Sequence, residues 1–159
     1  MTSFELKDSV LSYDPEKSLV VCRTRGEDRR NIWIKKLEDT GRVTRVLEDD
    51  ERYFLACEYG EAEGTFLALD RESGATAWYI PGRSFLQVVY EGHLFMIFID
   101  EHGAYFLIKV ECAGGTSVWH HRVESDLAEY RFNPRRIRLF YESGREETLN
   151  SITGLPEKS

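Results

Sequence analysis

An all-β chain assembled from repeated antiparallel strand units is what this sequence predicts, and three observations predict it. Short segments rich in Val, Ile, Phe, Tyr and Leu recur along the chain, side chains that pack well on a pleated surface. Glycine-bearing turn signals separate them at the cadence of antiparallel architectures. No stretch sustains apolar residues at i, i+3, i+4 and i+7 for three turns, so helix is expected to be scarce.

The strand-like segments are 18–24, 31–37, 52–58, 65–70, 75–80, 84–90, 93–99, 104–110, 116–121 and 136–141. Between them lie Asp39-Thr40-Gly41, Ser73-Gly74, Pro81-Gly82, Glu91-Gly92, His102-Gly103, Gly114-Gly115 and Ser143-Gly144. Glycine there supplies the positive φ that tight hairpins need. One helical turn at most is expected, over 125–130. Residues 1–154 read as one β-repeat domain and 155–159 as a flexible tail.

Composition fits that reading. The chain has 159 residues, 42% hydrophobic and 13% aromatic, which is enough to bury a core and far from the signature of disorder. Its net charge of −7 repels nucleic acid and anionic membrane, so a polyanion partner would need a local basic patch. No basic-then-apolar leader and no long uncharged apolar run is present; taken as a complete chain, it is expected to be cytoplasmic. Cys22, Cys57 and Cys112 lie in or beside strands without Cys-x-x-Cys spacing and read as core hydrophobes in a reducing compartment.

Laid against itself, the chain gives four units, each closing on a small polar turn that ends in glycine: Gly41, Gly74, Gly115 and Gly154. In the two central units a tryptophan follows four residues later, Trp78 after Gly74 and Trp119 after Gly115. The clearest copy is Ala68-Leu69-Asp70-Arg71-Glu72-Ser73-Gly74-Ala75-Thr76-Ala77-Trp78. The run from Lys109 through Gly115 to Trp119 is a second. Thr148-Leu149-Asn150-Ser151-Ile152-Thr153-Gly154 is a copy cut off before its tryptophan, and Lys36-Leu37-Glu38-Asp39-Thr40-Gly41 a copy without one, Val46 lying near where it would sit.

These residues resemble the repeat of quinoprotein-type (PQQ-like) β-propellers, whose blades carry Ala-x-Asp-x-x-Thr/Ser-Gly-x-x-x-Trp. The resemblance implies about four small β-propeller-like blades, or an open or curved sheet array. Asp70, Gly74, Trp78, Gly115 and Trp119 are then structural: acidic residue and glycine form a blade's hairpin, and the tryptophan fills the wedge against the next blade. Such propellers usually have more blades, so the array must either close with 4–13 completing the last blade, fold as a sandwich, or pair with another copy through an exposed sheet edge.

Catalytic chemistry has no visible anchor. His120 and His121 are adjacent on a strand and point to opposite faces, so they cannot chelate one metal together. There is no nucleophile elbow and no phosphate loop, and no cofactor is implied. Two charged features remain as candidate partner-binding sites. Tyr130, Arg131, Arg135 and Arg136, with Arg138, Phe132 and Phe140 nearby, interleave arginine with aromatics, as interface centres do. Glu48, Asp49, Asp50 and Glu51 form an acidic turn. A second basic cluster holds Arg23, Arg25, Arg29 and Arg30.

The function expected from these features is a non-enzymatic protein-interaction module or scaffold. A small acidic inhibitor of a basic partner, or an enzyme whose site forms at a dimer seam through His120 or His121, are the alternatives. A protein partner is expected rather than nucleic acid or membrane.

Overall fold

In the computed structural model, which describes residues 1–26, 28–61 and 63–157, every regular element is a strand. Fifteen strands form four antiparallel sheets, each a meander in chain order. The first holds β1 (Thr2–Glu5), β2 (Ser9–Asp14), β3 (Leu19–Thr24) and β4 (Asn31–Lys36). The second holds β5 (Arg42–Glu48), β6 (Arg52–Glu58), β7 (Gly64–Asp70) and β8 (Thr76–Pro81). The third holds β9 (Arg83–Tyr90), β10 (His93–Ile99), β11 (Tyr105–Glu111) and β12 (Ser117–Val123). The fourth holds β13 (Leu127–Phe132), β14 (Arg136–Tyr141) and β15 (Glu146–Asn150).

The chain divides into two compact units, Met1–Ser84 and Phe85–Ser159. In the first unit, strand pleat sends Leu11, Tyr13, Val20, Cys22 and Trp33 of the first sheet against Tyr53, Leu55, Cys57, Leu67 and Leu69 of the second. In the second unit, Phe95, Ile97, Leu107 and Trp119 of the third sheet pack with Ile137, Leu139, Tyr141 and Leu149 of the fourth. Sheet faces that alternate apolar with polar residues produce these two cores directly.

The third and fourth strands of the first three sheets, and β15 with the turn after it, carry the repeat. Trp78 pairs with Ala68 and Trp119 with Lys109, each one residue before a register shift, so the two tryptophans hold equivalent positions. Both are 9% exposed. Trp33 belongs to the same set. It faces Cys22 on β3, beside a shift at the same place, and is 7% exposed.

This corrects the phase of the first unit. Gly41 lies in the link from β4 to β5, where its carbonyl accepts from the Tyr13 hydroxyl at 3.3 Å, and is not a hairpin glycine. The first sheet's hairpin is instead the longer turn after Thr24, whose amide donates to Arg30 O at 2.9 Å. In the other three sheets the corresponding bonds are Asp70 N to Ala75 O, Glu111 N to Thr116 O and Asn150 N to Leu155 O. One extra residue in that turn, and a glycine, Gly26, that stands seven residues before Trp33 rather than four, hid Trp33 from the spacing rule.

Two tryptophans reach the next sheet's turn. Trp33 Nε1 donates to Arg71 O at 3.0 Å and Trp119 Nε1 to Ser151 O at 3.1 Å. The rings lie on Gly74 and Gly154, where an added Cβ would stand 2.5 Å and 2.4 Å from the ring Cδ2 atoms. Those glycines also have φ of +75° and +73°.

Segment 4–13 does not complete the last sheet. Phe4 on β1 pairs with Leu11 on β2 inside the first sheet. Of segment 125–130, Ser125 and Asp126 form a turn and residues 127–130 lie in β13 rather than in a helical turn, because pairing with β14 outweighs local preference. Residues 155–157 run beside β15: Glu157 N donates to Thr148 O at 2.8 Å, and Pro156 bridges to Leu149. Residues 158 and 159, the remainder of the expected tail, lie outside the described residues.

Gly74→Ala is expected to cost more than about 2 kcal/mol, combining positive-φ strain with displacement of the Trp33 ring. Gly144→Ala has open space around it and should cost only about 1 kcal/mol of strain. Urea unfolding of the two variants checks the difference; equal losses would mean that the tryptophan contact contributes little.

Candidate functional site

The pleat of the fourth sheet sorts its residues by chemistry. Ile137, Leu139 and Tyr141 of β14 enter the core, and Arg136, Arg138 and Phe140 take the opposite face. Arg131 pairs with Arg138 across the β13–β14 ladder and joins that outer face. The guanidiniums of Arg131 and Arg138 lie 4.7 Å and 5.1 Å from the Phe140 ring centroid, so one aromatic ring organises two cations.

Each of these arginines has a carboxylate neighbour. Arg131 stands 3.5 Å from Glu129, Arg138 3.5 Å from Glu146, and Arg136 3.1 Å from Glu157. The Arg131 and Arg138 pairs are exposed at both ends and are exchangeable with a competing carboxylate at small cost. A groove of about 610 Å³ opens beside them, lined by Arg136, Arg138, Arg145, Glu146, Thr148 and Glu157 among others.

Of the four residues expected on this site, the structure brings Arg131 and Arg136 to one face. Arg135 sits in the turn before β14, its amide bonded to Asn133 Oδ1 at 2.9 Å. Tyr130 points the other way, into the core, where its hydroxyl donates to Leu86 O and Phe95 O. Arg138, Arg145 and the three glutamates complete the face. The alternation Arg-Ile-Arg-Leu-Phe-Tyr over β14 was the signal for it.

The acidic turn belongs to the first unit and is engaged with its own arginines. Glu48 Oε1 accepts from Arg71 at 2.7 Å and Glu48 Oε2 from Lys7 N at 3.0 Å. Asp49 Oδ1 caps the turn by accepting from Glu51 N and Arg52 N, and Glu51 pairs with Arg52 at 3.0 Å. Arg71 also lies 4.8 Å over the Tyr53 ring. Asp50 is exposed at the tip of the turn. A turn spent in this way locks β5 to β6 and to the neighbouring hairpin.

His121 turns inward and meets Glu147 Oε2 at 3.1 Å, while His120 packs edge-on against Phe106. Glu147 also accepts from the Tyr141 hydroxyl at 2.9 Å. Burial and this carboxylate push the Tyr141 phenol well above its ordinary range. The cluster ties β12 to β14 and β15. Cys22, Cys57 and Cys112 are buried thiols outside any disulfide, and burial pushes the Cys57 thiol up to about 12.

The sequence matches no family model and no curated protein. Solved structures do match in fold. BamB from Moraxella catarrhalis is similar over 94% of this chain and 48% of its own, with a TM-score of 0.69 and 13% identity. The computationally designed Ika8 protein matches 98% of this chain and 47% of its own, TM-score 0.69, at 11% identity. A europium-containing methanol dehydrogenase matches 97% and 40%, TM-score 0.67, at 8% identity. The chain therefore spans about half the length of these proteins or less. At such identities the likeness is one of fold alone, that of antiparallel sheets in a propeller-type array.

The hairpin carboxylate offers a pH test of the repeat. Asp70 Oδ1 accepts from Ser73 N, Ser73 Oγ and Glu72 N, and these bonds, led by the Ser73 amide, hold its pKa below the usual value. Such a group stabilises the fold above its unfolded pKa and loses that contribution as pH falls through the folded one. Asn150 accepts the same amides, Ile152 N and Thr153 N, in the last sheet. Asp70→Asn should therefore keep the turn, and the stability difference between wild type and variant should shrink as pH drops below about 4. Parallel urea titrations across that range test it; a constant difference would remove Asp70 from the acid response.

Proposed function

We propose that the chain is a non-enzymatic protein-interaction scaffold, cytoplasmic, whose recognition surface is the outer face of the fourth sheet. The single observation that carries this reading is the pair Arg131 and Arg138 stacked on Phe140 beside an open groove. Arginine held on an aromatic ring has lost part of its side-chain freedom before any partner arrives, which lowers the entropy cost of binding. Its weak exposed ion pairs exchange readily for carboxylates of a partner. An acidic or carboxylate-bearing protein segment suits the site best.

What favours a scaffold over an enzyme is the use to which the charged groups are put. Glu48, Asp49, His121 and Glu147 are all engaged in joining strands. The acidic-inhibitor alternative draws on the turn at Glu48, Asp49, Asp50 and Glu51, most of whose carboxylates already serve Arg52 and Arg71.

Affinity capture with tagged wild type and with an Arg131→Glu, Arg138→Glu variant, at low and high salt, tests the proposal. A stoichiometric protein bound by wild type, weakened at high salt and lost by the variant, is the expected result. Retention by the variant would move the site off the fourth sheet, and no captured protein at either salt would overturn the scaffold reading.

A further inference from the structure

The two units repeat one plan, and several of their positions correspond. Lys35 follows Trp33 on β4 as His121 follows Trp119 on β12, each on the tryptophan's own face of its strand. Leu67 and Thr65 precede Asp70 as Glu147 and Arg145 precede Asn150, and Asp70 and Asn150 both begin a turn whose glycine closes back on their carbonyl. The ladders agree. Leu67 opposes Leu55 and Thr65 opposes Cys57, while Glu147 opposes Leu139 and Arg145 O accepts from Tyr141 N.

In the second unit one carboxylate joins these positions. Glu147 stands 3.1 Å from His121 Nε2 and 3.5 Å from the Arg145 guanidinium, and it accepts from the Tyr141 hydroxyl at 2.9 Å. In the first unit Leu67 holds the place of that carboxylate, and the polar groups around it are left over. Thr65 is 8% exposed, yet its hydroxyl makes no hydrogen bond among the described residues. Lys35 is half-buried and stands in no ion pair among them. Polar groups held this far from bulk water gain more from a fixed partner than exposed ones do.

Both groups line a cleft of about 540 Å³ that lies wholly within the first unit, between the end of β4 with the link after it and strands β7 and β8. Leu37 and Leu67 give it apolar lining, and Tyr79, 63% exposed and opposite Leu67 on β8, gives it an aromatic ring. Lys35 and Lys36 are matched there by Glu38 and Asp39. The cleft therefore carries no net charge, and a polyanion has no advantage in it.

We propose that this cleft binds a small monocarboxylic acid with an apolar or aromatic body, whose carboxylate takes the place that Glu147 holds in the second unit. The Lys35 ammonium and the Thr65 hydroxyl donate to that carboxylate. The body of the ligand lies against Leu67 and Tyr79, as ligand bodies do in pockets with few polar groups. The site goes beyond the scaffold reading, belongs to the other unit, and does not depend on the fourth sheet binding anything.

Chemical-shift titration of the full chain with benzoate, 3-phenylpropionate and octanoate, beside 3-phenylpropionamide and inorganic phosphate, tests this. At least one carboxylate is expected to bind with a Kd of about 1 mM or tighter, and the amide and phosphate at least ~10-fold more weakly. Lys35→Gln should weaken the bound carboxylate at least ~5-fold and Thr65→Val about 3-fold. The fourth-sheet variant Arg131→Glu, Arg138→Glu should bind it as wild type does. Circular dichroism and urea midpoints confirm that the variants fold, and Tyr79→Ala, at an exposed position, replaces Thr65→Val if that variant does not. Absence of binding by all three carboxylates up to about 10 mM overturns the proposal. So does binding that Lys35→Gln leaves unchanged, or amide or phosphate binding as tight as that of the carboxylate.

Discussion

The structure depends most on a tryptophan ring lying flat on a glycine of the next sheet. Trp33 on Gly74 and Trp119 on Gly154 bring side chain and backbone to a separation that no other residue in place of glycine would allow. The indole N–H completes the contact by donating to the carbonyl three residues before that glycine. A large apolar group is thereby buried with its one polar atom satisfied, which makes tryptophan a better wedge than phenylalanine. The contact also sets the distance between consecutive sheets within each unit, and so decides how tightly the faces behind it can pack.

The turn that supplies the glycine must itself be rigid, and the sequence provides for this with side-chain oxygens. Asp70 and Asn150 accept amides from the turn they begin, and Gly74 N and Gly154 N close back on their carbonyls at 2.8 Å. An acid and an amide do the same work because only the acceptor oxygen is used. Glu111 starts the third sheet's turn with the same backbone closure, Gly115 N bonding to its carbonyl. Thr24 starts the first sheet's turn by a different route: its hydroxyl donates to Asp28 O and accepts from Arg30 N. A longer turn then reaches the same register at Trp33.

That difference explains what was legible in the sequence. Segments with dense aliphatic and aromatic content, such as β6, β10 and β14, were readable to the residue because both their faces, or one face without interruption, are apolar. Strands such as β5, β13 and β15 alternate apolar residues with charge, and β1 is short and mostly exposed; pairing with a stronger neighbour makes them strands. The repeat was legible where Gly and Trp keep fixed spacing and invisible where the turn lengthens. At the candidate site, arginine content was legible but direction was not: Tyr130 and Arg131 are adjacent in sequence and sit on opposite faces, a distinction that needs the strand to be known first.

The fourth sheet differs from the first three, and the reason lies in the same pleat. On the first three sheets, the face that carries the tryptophan is apolar: Val20 and Cys22 beside Trp33, Phe54 and Phe66 beside Trp78, Phe95 and Leu107 beside Trp119. On the fourth sheet the corresponding face presents Arg138 and Thr148, with Phe140 covered by two guanidiniums. Cation–aromatic stacking lets one ring remain on an exposed face without presenting bare apolar surface to water. A face that is apolar in the first three sheets is therefore polar in the fourth, through arginine and threonine at the same ladder positions.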